Sequence, residues 1–180
     1  MTNAVFGSEV WNSPANVSIV GVKGLEYRVN DDDNQKLNSP LNGVAINPIR
    51  IFPNAPDVVV WGARTCEGSS DDHRYIAVRR TMQMLKRDIS YILMPYVFAA
   101  NDATTWMSVQ NDVNAYLTDL WKMGALIGGK PSDAFSVQIG LGITMTGQDI
   151  LLGNMILAVS VSVAHPAEFQ EMTFIQLVQR

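Results

Sequence analysis

Asp71, Asp72 and His73 stand side by side, and the first chemistry they suggest is metal binding. Three consecutive side chains do not converge readily on one ion. His165 is the only other histidine, and no Cys/His spacing in the chain fits a zinc site. A nucleophilic centre could be assembled from Cys66 and His73, with the imidazole as base for the thiol. Only spatial proximity makes such a pair work, and the simpler reading of a lone cysteine is a small buried hydrophobe. Glu168 and Glu171 are three apart, so in a strand they face opposite sides and form no acid/base dyad. Gly128-Gly129-Lys130-Pro131 is not a phosphate loop, because proline follows the lysine and the segment trails a helix where it should open one. Asp31, Asp32 and Asp33 lack the glycine and distal glutamate of a calcium loop and read as a solvated polar break. The expectation from these residues is a chain with no catalytic residues, no metal and no cofactor. A small Cys66/His73 enzyme stays open as an alternative.

The elements that would position these groups alternate between two periods. Val17 to Val22 reads as a short strand ending in glycine, and Asp57 to Trp61 as a buried strand. Pro40, Pro48 and Pro53 exclude a long helix between them. Gly68 to Asp72 offers a helix N-cap at Asp71 or Asp72. Tyr75, Val78, Met82, Leu85, Ile89 and Ile92 then recur at helical spacing up to Pro95. A second helix begins near Thr104 or Thr105 and carries Trp106, Val109, Val113, Tyr116 and Leu120. Gly124 or Gly128-Gly129 stops it. Phe135 to Thr144 alternates in part, Gly147 to Asp149 reads as a turn, and Met155 to Val163 alternates clearly as a half-buried strand. Pro166 breaks it, and Glu168 to Val178 is rich in β-formers with apolar residues on both faces. Strands, two helices, then strands give an α+β fold, with a mixed β-sheet packed against two main amphipathic helices.

Composition narrows the classes. The 180 residues are 47% hydrophobic and only 17% charged, against the usual quarter. A surface so poor in charge suits a subunit whose faces end against other subunits. The formal net charge of −4 argues against nonspecific nucleic-acid binding, which needs a basic footprint. One cysteine allows no internal disulfide. Met1 to Val10 lacks the pattern of a signal peptide, and no apolar run approaches the ~20 residues of a membrane span. A soluble protein made in the cytoplasm is expected. Within this acidic chain, Arg74, Arg79, Arg80, Lys86 and Arg87 concentrate in the first long helix. Arg79, Lys86 and Arg87 fall away from its apolar stripe. That face is either merely solvated or a basic surface for an acidic partner.

Several segments together resemble the C-terminal conserved region of contractile-tail sheath proteins, from phage tails, R-type bacteriocins and phage-tail-like injection systems. They are Val60-Trp61-Gly62-Ala63-Arg64-Thr65, preceded by Asn47-Pro48-Ile49-Arg50 and Phe52-Pro53; Arg74 to Arg80; Asn101-Asp102 leading to Trp106; Leu120-Trp121 leading to Gly124-Ala125-Leu126; Pro131 to Val137; and Pro166-Ala167-Glu168-Phe169. Trp11 to Asn16 and Gly21 to Leu25 also fit. The segments run in the family's order along nearly the whole chain. Two departures stand out. Phe98-Ala99-Ala100-Asn101-Asp102 replaces a Phe-Glu-Pro-Asn-Asp-like run, so the glutamate is missing. The chain also starts close to the conserved region, where a sheath protein has a substantial N-terminal half.

The resemblance implies a structural subunit that polymerises helically around an inner tube and contracts to drive that tube through a target envelope. It implies one inner domain over residues 1–180, with 168–180 as a linking arm that adds a strand to a neighbour's sheet. The candidate arm residues are Met172, Thr173, Phe174, Ile175, Gln176, Leu177 and Val178. Arg79, Arg80, Lys86 and Arg87 are the candidates for contact with the tube or a neighbour. Implied partners are copies of the chain itself, the inner tube protein, and baseplate and terminator proteins, with no nucleic acid and no membrane insertion. The implied location is a virion tail or phage-tail-like particle assembled in the bacterial cytoplasm. Another tail or baseplate component is the nearest alternative.

Overall fold

The computed structural model describes residues 9–40, 44–53, 55–68, 70 and 73–166. The first apolar runs form a three-stranded antiparallel sheet, ordered β1 (Val17–Ser18), β3 (Ala55–Val60), β2 (Ile49–Phe52). Val17 pairs with Val60 and Arg50 with Val59. The expected strand through Val22 is shorter than its sequence suggests. Its ladder stops at Ser18, the Ile19 N–H still reaches the Val58 carbonyl at 2.7 Å, and the chain then turns at Val20.

The triple aspartate is a correction. It opens a helix, α1 (Asp31–Asn38), where a solvated loop was expected. The Asn30 side chain accepts the Asp33 N–H at 2.8 Å, and the three carboxylates sit on the positive end of the helix dipole. Arg50 then fixes Asp31 through a 2.7 Å ion pair. Its guanidinium is almost fully buried and lies 4.8 Å from the Phe52 ring centroid. No residue of α1 is buried, so this helix rests on capping and charge and has no apolar stripe.

Helices α2 (Ile76–Leu93) and α3 (Ala103–Lys122) follow the sequence periodicity. The start of α2 lies four residues past the nearer of the two aspartates expected to cap it. Tyr75 holds the N-cap position, while Asp71 and Asp72 lie outside the described residues. Pro95 ends α2 in a short 3-10 turn. Asp102 caps α3 by accepting the Thr105 N–H at 3.0 Å, and Gly124 closes it at a φ of +84°.

After α4 (Pro131–Ala134), β4 (Phe135–Ile139) pairs antiparallel with β5 (Leu157–Val161), Val137 opposite Val159. The expected turn at Gly147 to Asp149 is instead a short helix, α5 (Gly147–Leu151), nucleated by a reciprocal Thr146–Asp149 capping box. Among the described residues the single mixed sheet expected from sequence resolves into two antiparallel ones in an α+β fold, because strands on the same side of the two long helices in sequence pair with one another.

The core sits around α3. Val109, Val113 and Leu117 are fully buried and meet Val78 and Leu85 of α2 on one side, and Val137 and Ile139 of β4 on the other. Each such side chain contributes about 1.5–3 kcal/mol of burial. Both helices were expected on a shared sheet; α3 does lie on β4, while α2 packs chiefly on α3. Two phenols clasp the helices together: Tyr116 donates to Asp88 at 2.8 Å and Tyr96 to Asp112 at 2.6 Å. No helix among the described residues is long and apolar enough to cross a membrane.

Candidate assembly surfaces

Helix α2 separates the four basic candidates. Arg79 and Lys86 are exposed two turns apart on one face, away from buried Val78 and Leu85. Arg87 is exposed but committed, its Nε donating to Asp88 at 2.8 Å. Arg87, with help from Tyr116, holds the Asp88 carboxyl below its usual range, while partial burial and the Asp88 hydrogen bond push the Tyr116 phenol up. Arg80 is half-buried, so it belongs to the flank of the helix, apart from the exposed face. The arm candidates Met172 to Val178 lie outside the described residues.

The β4–β5 sheet has two edges of unlike character. The Ser162 N–H donates to the Ala134 carbonyl at 2.8 Å, which makes 134/162 a hydrogen-bonded pair. Alternation then turns the N–H and C=O groups of Phe135, Val137 and Ile139 away from β5, and those of Leu157, Val159 and Val161 away from β4. On β4, the Phe135 N–H donates to the Pro131 carbonyl, and the Val137 carbonyl accepts the Gln110 side-chain amide from α3 at 2.8 Å. On β5, the outward backbone groups of Leu157, Val159 and Val161 have no partner among the described residues.

The segment Val60 to Thr65 is structural. Trp61 is half-buried and meets Phe52 edge-on at 4.5 Å between ring centroids. The Asn47 side chain brackets Arg64, donating to its carbonyl at 2.7 Å and accepting its N–H at 3.0 Å. Gly62 permits that approach, since a Cβ there would stand 2.5 Å from Asn47 Oδ1 and 2.9 Å from Asn47 Cα. Trp106 and Trp121 are packing residues that also donate, to Asn101 Oδ1 at 2.7 Å and to the Gly128 carbonyl at 2.9 Å. Asn101 passes the link on to the Asn154 carbonyl at 3.0 Å.

Cys66 is exposed, which corrects the buried reading, because it stands in the loop beyond β3. His73 lies across the neck of that loop, its carbonyl accepting the Thr65 hydroxyl at 2.7 Å. Its Nδ1 is taken by the Arg79 guanidinium at 3.2 Å, so that nitrogen accepts and is not turned to the thiol as a base. No group of three or more metal-binding side chains converges among the described residues. Among the described residues two non-glycines have positive φ, Asn16 at +59° and Phe98 at +71°. Phe98, in the run that departs from the resemblance, is fully exposed. Sequence reasoning named Asn47 and Asn101 only as members of motifs and missed Gln110, since nothing in a polar residue's spacing says which group it will reach.

Comparison with known proteins places this geometry. Residues 69–176 match the model of the phage tail sheath C-terminal domain. The PVC sheath complex of an extracellular contractile injection system, in its contracted state, is similar at a TM-score of 0.87 and 41% identity. The match covers 94% of this chain and 46% of that one. The contracted helical sheath of the anti-feeding prophage is similar at 0.81 and 42% identity, covering 93% of this chain and 45% of the other. The tail sheath protein of Vibrio phage KVP40 (isolate Vibrio parahaemolyticus/Japan/Matsuzaki/1991) is 29% identical over 119 residues, 66% of this chain and 17% of that protein. The chain thus spans less than half the length of the sheath chains it matches.

Proposed function

This chain belongs to the family of phage tail sheath C-terminal domains, and from that premise we propose that it is a structural subunit of a contractile sheath. The observation that carries the reading is the correspondence of nearly the whole chain, at about two-fifths identity, to chains of sheaths in the contracted state. The subunit polymerises helically around an inner tube and, on contraction, drives the tube through a target envelope. Energy is stored in subunit packing, so the chain has no catalytic role. Its partners are further copies, the tube protein, and baseplate and terminator proteins, in a virion tail or phage-tail-like particle assembled in the bacterial cytoplasm.

Within this reading residues 1–180 are one inner domain, and residues 168–180 are the arm that links neighbours by adding a strand. Met172 to Val178 supply that strand. The exposed Arg79 and Lys86, flanked by Arg80 and Arg87, supply the contact with the tube or a neighbour. Immunogold electron microscopy of the native lysate, with antibody against this chain, tests the proposal. Label spaced along rigid tubes, in long and shortened forms, is the expected result. Label at one end only moves the chain to a baseplate or terminator. Label on soluble material alone overturns a sheath role.

A further inference from the structure

Asn34 Oδ1, Asn38 Oδ1 and Arg50 Nε are buried where α1 meets the first sheet, with no partner among the described residues. We infer that this seam holds water, and that α1 is a strap over Arg50 which opens on its own while the rest of the chain stays folded. Asp31, Asn34 and Asn38 are spaced by three and four, so they share one face of α1. That face is turned inward at both ends. Arg50 Nη2 donates to Asp31 at 2.7 Å at one end, and Asn38 Oδ1 lies 2.9 Å from where a Cβ on Gly62 would stand at the other. Two acceptors and a donor are thus shut from solvent along it. A buried polar group left unmatched is destabilising, and a polar seam is where water satisfies such groups by bridging several at once. Water that accepts from Arg50 Nε and donates to the asparagine oxygens pairs all three atoms.

Little fastens α1 to the sheet. None of its residues is buried, whereas α3 buries Val109, Val113, Leu117 and Leu120. Among the described residues it is held by the Asp31–Arg50 pair, whose carboxylate side chain is 93% exposed, and by the Ile46 N–H donating to the Leu37 carbonyl at 2.9 Å. A carboxylate that keeps most of its hydration while paired loses little on release. Elements with few buried apolar contacts open well below the free energy of global unfolding. A detached helix of 8 residues is too short to persist in water, so the amides of α1 exchange whenever it opens. Opening also bares the Arg50 guanidinium, which is nearly enclosed under the closed strap and rests 4.8 Å from the Phe52 ring centroid.

Native-state amide exchange of the full chain, read residue by residue by NMR across low urea, tests the strap. Gln35 to Asn38 exchange at least about a hundredfold faster than Val113 and Leu117. Urea leaves the α1 rates flat while it accelerates α3, since local opening exposes little surface. Asp31→Asn raises the α1 rates by about threefold to tenfold and leaves α3 unchanged. Phenylglyoxal, a reagent for exposed guanidinium groups, then modifies Arg50 faster by the same factor. A water cross-peak to the Arg50 Nε–H in rotating-frame spectra is the mark of the wet seam. Rates in α1 as slow as in α3, or a urea slope shared with α3, overturn the strap. So does an Asp31→Asn variant that accelerates both helices alike, or one in which Arg50 reacts no faster. An Arg50 Nε–H with a direct protein acceptor and no water contact overturns the wet seam. If Asp31→Asn does not fold, the exchange rates of the unsubstituted chain still decide. Every reading is taken on the chain alone, so a failed strap and a failed sheath assignment are told apart.

Discussion

Asn47 serves Arg64 as a neighbouring strand would, its side-chain amide giving one hydrogen bond to the Arg64 carbonyl and taking one from the Arg64 N–H. The pair fastens the segment after β3 to the segment before β2, and Gly62 is the residue that lets the two chains approach. Asn47→Ala is expected to cost about 2 kcal/mol, because it strands a part-buried N–H and C=O together. Gly62→Ala is expected to cost about as much through its contact with the Asn47 backbone. Urea unfolding of both single variants and the double variant checks this. The pair should fall short of additivity, since the two changes damage one contact.

Acid should loosen the clasp between α2 and α3. Asp88 is held below its usual pKa by Arg87 first and by the Tyr116 hydroxyl after it. A depressed folded pKa means that the stabilisation is complete above the ordinary carboxylate value of about 4 and is lost as pH falls through the lowered value. Urea midpoints measured from pH 7 to pH 3 should fall at the acid end, and Asp88→Asn should flatten part of that fall. At pH 7, Tyr116→Phe is expected to lower stability by about 1–2 kcal/mol. An unchanged acid limb in Asp88→Asn would show that other carboxylates set it.

Reversing charge on α2 separates contact from solvation. Arg79→Glu with Lys86→Glu should weaken assembly most at low salt, and the difference should shrink as salt rises past about 0.1 M, where the screening length is about 10 Å. Sedimentation of assembled material against ionic strength measures it. Assembly equal to the parent's at low salt means that the face is only solvated.

Removing Thr173 onward is expected to abolish polymerisation while the far-ultraviolet circular dichroism of α2 and α3 persists. The lost strand would supply roughly five backbone hydrogen bonds at about 1 kcal/mol net each. Tubes of normal length from that variant sink the arm.

Phe98 holds a left-handed backbone with its ring in solvent. Asn tolerates that conformation better, so Phe98→Asn should raise stability by up to about 1 kcal/mol, seen as a higher melting temperature. A lower melting temperature would mean that the ring contributes contacts which outweigh the strain.

Much of this architecture is legible along the chain. The apolar spacing of Val78 and Leu85, and of Val109 and Val113, sets α2 and α3, because a core-facing helix must repeat every three to four residues. Asp102 and Gly124 mark the ends of α3 by chemistry local to each end. Alternation from Leu157 to Val161 marks β5, and the ordered segments around Tyr75 and Pro131 fall within the matched family domain. Helix α1 was hidden because its stability comes from Asn30, three aspartates and a distant Arg50, with no apolar period to read. Helix α5 was hidden because its five residues are too few to show a helical period, and Gly147 to Asp149 reads as a turn when Thr146 is left out.

What the sequence by itself determined is therefore the elements whose signal is periodic or local: two helices, a half-buried strand, and the family that their ordered motifs belong to. Only the tertiary structure decided which neighbour each basic residue engages and how the two edges of the second sheet differ. Arg79 and Arg87 look alike in sequence, yet Asp88 engages only the latter. Edge polarity depends on one backbone bond between Ser162 and Ala134 and on where the Gln110 amide reaches, and both join residues far apart in the chain. Such pairings carry no sequence period, since they exist only once packing has brought the two partners within hydrogen-bond distance.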